Sequence, residues 1–184
     1  LDLDDQDPST YASLGNSYRL VGQYDKAISE FEKALDLYKK WRMNAPISFT
    51  IIYLGPSYHK TGEYKKEKKL YRKAERHFPD NPDIIYRQAI LALSEDKSET
   101  ANDYIEKYRS VLKENSVTEA TITSNLARIY TEAEILDKAE EYYRQALSLE
   151  PNSLERMSNL AYFLIVNDRN INEGLELIDQ SLKL

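Results

Sequence analysis

The side chains able to do chemistry in this chain are few in kind. His59 and His77 are its only histidines, too few to hold zinc without carboxylate help. Cysteine is absent, which removes thiolate nucleophiles, thiolate metal sites and disulfides. Carboxylates are plentiful, but pairs such as Glu140/Arg144 at i,i+4 are what any acidic helical surface offers. Asp2, Asp4, Asp5 and Asp7 crowd together, yet the glycine and the distal glutamate of an EF-hand loop are missing. No Gly-rich phosphate loop, Gly-x-Ser-x-Gly elbow or His-Glu-x-x-His pair occurs. One concentration of charge stands out: Lys65, Lys66, Lys68, Lys69, Arg72, Lys73 and Arg76, with Lys65, Lys69, Arg72 and Arg76 on one helical face. Such a row could meet RNA or an anionic lipid surface. Without interleaved aromatics for base stacking it reads better as the solvated face of a helix. The expectation is a protein that is not an enzyme and uses no cofactor or metal.

Composition agrees with that reading. The 184 residues are 41% hydrophobic and 30% charged, the balance of a globular domain. Five glycines and six prolines are too few for a turn-rich β-sandwich. No apolar run approaches the ~18 residues of a membrane-spanning helix, which argues against a membrane partner. The net charge of −6 argues against duplex nucleic acid, whose phosphates call for a basic surface. The charge is uneven. Residues 1–92 carry 15 Lys/Arg against 13 Asp/Glu, a net +2; residues 93–184 carry 10 against 18, a net −8. The opening residues, Leu-Asp-Leu-Asp-Asp-Gln-Asp-Pro, read like the end of a helix and a breaker, so the chain is expected to be a piece of a longer protein. No signal-peptide pattern is visible, and the compartment stays open with the cytoplasm as the default.

What positions these residues is an internal repeat. Small residues stand at Gly15, Gly55, Ala89, Ala127 and Ala161, spaced by 40, 34, 38 and 34 residues. Twelve positions further come Ala27, Glu67, Ala101 and Ala139; sixteen further, Phe31, Tyr71, Ile105 and Tyr143; nineteen further, Ala34, Ala74, Tyr108 and Ala146. A small residue lets two helices approach closely, and an aromatic fills the space between successive pairs. Within each half the apolar residues recur at helical spacing, as in Tyr11, Leu14, Tyr18 and then Ala27, Phe31, Ala34. Gly22 and Gly62 fall between the halves, where a left-handed turn residue belongs. Pro79 and Pro151 follow the second halves.

This pattern resembles the tetratricopeptide repeat, a helix–turn–helix unit of about 34 residues, over nearly the whole chain. The resemblance implies an all-α, right-handed superhelical solenoid of five antiparallel helix pairs in a single array. The repeats are Pro8–Trp41, Ser48–Asn81, a degenerate Pro82–Asn115, Ala120–Ser153 and Leu154–Leu184. Ten helices are expected, near Thr10–Val21, Tyr24–Met43, Ile47–Lys60, Tyr64–Phe78, Pro82–Ser94, Ser98–Lys113, Val117–Ala133, Leu136–Leu149, Ser153–Val166 and Ile171–Lys183. Pro56 is expected to kink its helix. Glu67, in a small-residue column, is expected to splay the second pair or to reach solvent.

In this family the first helices line a concave surface that accepts a peptide or a helix. Carried onto this sequence, that surface includes Asn16, Arg19, Phe49, Ile52, Tyr53, Tyr86, Arg87, Asn125, Arg128, Asn159 and Tyr162. The asparagine amides would hold a ligand backbone. The arginines would fork onto a carboxylate, and the aromatics would supply anchors. The implied function is non-catalytic scaffolding. The partner would be a protein or peptide with acidic residues or a free C-terminal carboxylate. The five-residue carboxylate clamp of chaperone co-factors is matched only at Asn16 and Arg87; Ala12, Tyr53 and Asp83 depart from it. The alternative is a regulatory or assembly segment of a larger enzyme or signalling protein, acting by self-association through its open ends.

Overall fold

The structure, a computed structural model, describes residues 7–41 and 47–183, without the side chains of 47–49. Among the described residues there are ten helices and no strand. They are α1 (Pro8–Leu20), α2 (Tyr24–Lys40), α3 (Ile47–Lys60), α4 (Tyr64–His77), α5 (Pro82–Ser94), α6 (Ser98–Glu114), α7 (Glu119–Glu132), α8 (Leu136–Leu149), α9 (Leu154–Val166) and α10 (Ile171–Ser181). The expected all-α class and the number of helices, enough for five pairs, are found. Two boundaries differ in an instructive way. α1 begins two residues early, because Pro8 is pre-set for a first helical position and Asp7 caps it, accepting the Ser9 N–H at 2.9 Å. α2 ends at Lys40 with Trp41 as its cap, short of the expected Met43, which lies outside the described residues.

The chain forms two compact units, Leu1–Leu91 and Ala92–Leu184. In the first, α1 packs on α2 and α3, and α3 on both α2 and α4. The crossings sit where the small residues stand. A methyl group added to Gly15 would lie 2.9 Å from the Phe31 ring, and one added to Gly55 only 1.9 Å from the Tyr71 hydroxyl. Phe31 is fully buried with Ala27, Ile28, Leu54 and Tyr58, so α2 and α3 share one core. A second cluster joins Ile51, Tyr71, Ala74, Ile84 and Leu91. Burying a ring such as Phe31 is worth about 1.5–3 kcal/mol over leaving it exposed. Pro56 lies inside α3, which continues through it to Lys60.

In the second unit α7 packs on α6 and α8, and α9 on α8 and α10. Ala127, Ala139, Ala146 and Ala161 are all buried. The Tyr143 and Phe163 rings meet at 5.1 Å. A methyl group on Gly174 would stand 3.0 Å from the Ala161 carbonyl oxygen, so α9 and α10 touch nearly backbone to backbone. Thr118, Ser153 and Asn170 cap α7, α9 and α10 by accepting the N–H of Thr121, Arg156 and Glu173.

The turn inside each repeat is one device used five times. Gly22, Gly62, Asp96, Glu134 and Asp168 all have positive φ, between 52° and 74°. Each donates its N–H to the carbonyl three residues back, and the next residue donates to the carbonyl five back, as in Gly22 to Arg19 and Gln23 to Tyr18. This double bond ties off the last carbonyls of the first helix and sends the chain back as the second.

Candidate functional site

In the first unit α1 and α3 bring three of the expected surface residues together. The Asn16 side-chain oxygen accepts two bonds from Arg19, from Nε at 3.0 Å and Nη2 at 2.9 Å. That double bond holds the guanidinium flat, 4.8 Å above the centre of the Tyr53 ring. Asn16 therefore differs from an amide that both donates and accepts: its oxygen is occupied, and it offers its N–H groups. Ile52 is half-buried beside Tyr53 in the sequence. The side chain of Phe49 lies outside the described residues.

Tyr86 is buried, and Arg87 stacks on its ring at 5.2 Å. Tyr86 thus belongs to the packing rather than standing out as an open anchor. Arg87 also faces a feature that sequence reasoning misjudged. Glu67 neither reaches solvent nor stands apart; it is 2% exposed and bonded to the His59 Nδ1 at 2.9 Å. His59 is in turn met by the edge of Tyr64 at 5.2 Å. Burial pushes the Glu67 carboxyl up, against the pull of His59, Tyr71 and Arg87. The column that is alanine in three other repeats is filled here by an acid whose partner comes from the preceding helix. Its signal was a histidine eight residues upstream.

In the second unit the Asn159 Nδ2 donates to the Ser124 Oγ at 3.3 Å, joining α9 to α7. Asn125 is half-buried, Arg128 is exposed, and Tyr162 stands 70% exposed on α9. A residue not anticipated is Arg156. It is buried and donates to Glu150 at 3.1 Å, Glu155 at 2.7 Å and Thr121 Oγ1 at 2.6 Å. Its fork serves the fold, tying the start of α9 to α7, rather than a ligand.

Two depressions in the first unit lie on second helices, away from the expected first-helix surface. One, of about 510 Å³, is lined by residues of α2 and α4, among them Leu35, Tyr38, Leu70 and His77, together with Ile51 of α3. The other, of about 470 Å³, is lined by the basic row Lys65, Lys68, Lys69, Arg72, Lys73 and Arg76. Among the described residues no group of three or more His, Asp or Glu side chains is placed to hold a metal ion, and no helix is long and apolar enough to cross a membrane.

Comparison with known proteins follows the same lines. Residues 6–80 and residues 120–153 match models of the tetratricopeptide repeat. The cell division cycle protein 16 homolog of Mus musculus is 23% identical over 157 residues, 83% of this chain and 24% of that protein. Anaphase-promoting complex subunit 6 of Arabidopsis thaliana is 28% identical over 150 residues, 80% of this chain and 26% of that protein. The chain thus spans about a quarter of the length of these curated relatives. Among solved structures, a chain of the APC/C hetero-tetramer Cut9–Hcn1 superposes with a TM-score of 0.57 at 18% identity, over 98% of this chain and 34% of that one. MamA (41-end) from Desulfovibrio magneticus RS-1 gives 0.55 at 18% identity, over 96% and 94%. YrrB, described as a TPR protein with an unusual peptide-binding site, gives 0.53 at 17% identity, over 97% and 87%. At these identities the likeness to the solved structures is one of fold.

Proposed function

The chain belongs to the tetratricopeptide-repeat family, and from that premise we propose that it is a non-catalytic protein–protein interaction scaffold whose first helices take up a peptide or helix of a partner. The observation that carries this reading is the Asn16–Arg19–Tyr53 arrangement. A guanidinium held over an aromatic ring by an amide is arranged before any ligand arrives, which lowers the ordering cost of binding. Two of the five N–H groups of Arg19 go to Asn16, which leaves three for a carboxylate. The partner class that fits is a segment with acidic residues or a free C-terminal carboxylate. Relatives named as subunits of assemblies, and a structural neighbour described as peptide-binding, support the same reading.

The test is a fluorescence titration of peptides ending in a free or an amidated carboxyl group, with and without acidic residues. Free-acid or acidic peptides should bind more tightly than neutral amides. Arg19→Ala, Tyr53→Ala and Arg87→Glu should each weaken that binding by about tenfold, near 1.4 kcal/mol, with the helical circular-dichroism signal intact. Unchanged affinity in all three folded variants would remove the first-helix surface from consideration.

A further inference from the structure

The second helices of this chain are close to neutral or acidic, with one exception. α2 carries four Lys/Arg against four Asp/Glu, α6 three against four and α8 two against three, but α4 carries seven against two. Both acids of α4 are engaged by neighbouring helices. Glu67 is buried against His59 of α3, and Glu75 accepts the Gln88 amide of α5 at 3.0 Å. Lys66 is neutralised by Glu63 at 2.7 Å and Glu32 at 3.5 Å. Lys65, Lys69, Arg72, Lys73 and Arg76 are exposed and form no ion pair among the described residues. With Lys68 they line a depression of about 470 Å³ to which no acidic and no apolar residue contributes. Lys65/Lys69, Lys69/Lys73 and Arg72/Arg76 set like charges at i,i+4, which costs a helix stability. On α8 the same spacing holds opposite charges, in Glu140/Arg144.

We propose that this row is a second docking surface, on the side of the second helices, and that its occupant is an acidic segment of a partner protein. The charges form a line: Lys65, Lys69, Arg72 and Arg76 span about 16 Å of helix in steps of about 4.5–6 Å. A line of charge suits a ligand with repeated charge rather than one compact anion. From Lys68 on, the backbone N–H groups bond within the helix, so no cradle of main-chain donors gathers a single phosphate. No aromatic side chain lines the depression, which leaves bases no platform. The apolar face of α4, with Tyr71 and Ala74, is buried in the core, so the helix cannot lie in a lipid interface. Carboxylates matched to arginines are also how this chain ties its own helices, at Arg109–Glu119 between α6 and α7 and at Arg144–Glu173 between α8 and α10. The row is separate from Arg19 and Tyr53, and it does not rest on the reading of the first-helix surface.

The test uses the 184-residue protein carrying Arg19→Ala, so that the first-helix surface is weakened and the two surfaces are read apart. The probe is a fluorescent, terminally blocked peptide of alternating glutamate and serine. It should bind, and more weakly as salt rises. Lys69→Glu with Arg72→Glu should weaken it at least about tenfold, because the variant sets like charge against the ligand. That pair also places a glutamate between Lys65 and Lys73 and another between Lys68 and Arg76, so the urea midpoint should hold or rise. The neutral pair Lys69→Gln and Arg72→Gln should give a smaller loss in the same direction. Lys40→Glu with Lys60→Glu, the same change of net charge off the row, should leave binding nearly unchanged. An oligouridylate and phosphatidylserine vesicles are titrated at the same salt. No binding of the peptide, equal loss in both charge-reversed pairs, full affinity in the neutral pair, or tighter binding of the oligouridylate or the vesicles would each overturn the proposal.

Discussion

Glu67 shares its column with Ala27, Ala101 and Ala139, yet it is as buried as they are. Burial holds its carboxyl above the ordinary value of 4.5, so the fold favours the protonated form. The stability this group supplies is fully present below the unfolded value and is lost as pH rises through the higher folded value. The groups facing it are His59 at the end of α3, Tyr71 on its own helix and Arg87 on α5. Glu67→Gln is neutral throughout. The natural chain should therefore gain stability relative to this variant as pH falls from neutral to below the carboxylate range, read from urea midpoints on both sides. A difference that stays constant with pH would mean that His59 and Arg87 offset burial in full. At this scale the sequence was legible where one residue type does one job, as with Gly15 and Gly55 under Phe31 and Tyr71. It was not legible where a residue's meaning depends on a partner from another helix. Nothing local tells that Arg156 turns inward to Thr121, or that Arg19 closes on Asn16.

Among the elements, α3, α5 and α8 have the expected bounds, because glycine, proline or an abrupt change of period marks both ends. The helix-to-helix turns were half legible. Gly22 and Gly62 announced the left-handed position, but Asp96, Glu134 and Asp168 fill it in the later repeats, where a side chain is uncommon and aspartate is better tolerated than glutamate. Tertiary packing of the two helices outweighs the local cost there. Glu134, at φ 62°, is the least suited of the three, since Asp can bond locally and Glu gains less from doing so. Glu134→Gly should raise stability by about 0.5–1 kcal/mol, the relief of left-handed strain less the added freedom of the unfolded glycine. A denaturant series at constant slope would measure it. A loss of stability would mean that the glutamate contributes more through its surroundings than its backbone costs.

At the scale of the whole molecule, stability in a repeat protein accrues between neighbours, so each helix holds according to what lies on either side. α10 packs on α9, and ion pairs tie it and the turn before it to α8. Arg144 of α8 donates to Glu140 and to both oxygens of Glu173, at 2.5 and 2.8 Å, while Arg169 bonds Asp137 and Glu140. The Arg144 guanidinium holds the Glu173 carboxyl below its ordinary value. The stabilisation from that carboxyl is present above the unfolded value and is lost as pH falls through the lower folded one. In dilute protein, α10 amides should exchange with deuterium ahead of those in α7–α9, and Arg144→Ala should widen the gap at neutral pH. Equal exchange across α7–α10 would show the unit opening as one body. That helices pair was readable from periodicity, but which charges tie them was not, since a helical surface offers many pairs and geometry selects few. The joint repeated at α2/α3 and α8/α9 has a further consequence for how such a chain can change over generations. A stretch of gene encoding one hairpin can be copied in tandem without inventing a new seam, because the seam it needs is already in use. Length is thereby easy to alter, while the bare backbone of Gly55 under the Tyr71 ring leaves room for almost no variation at all.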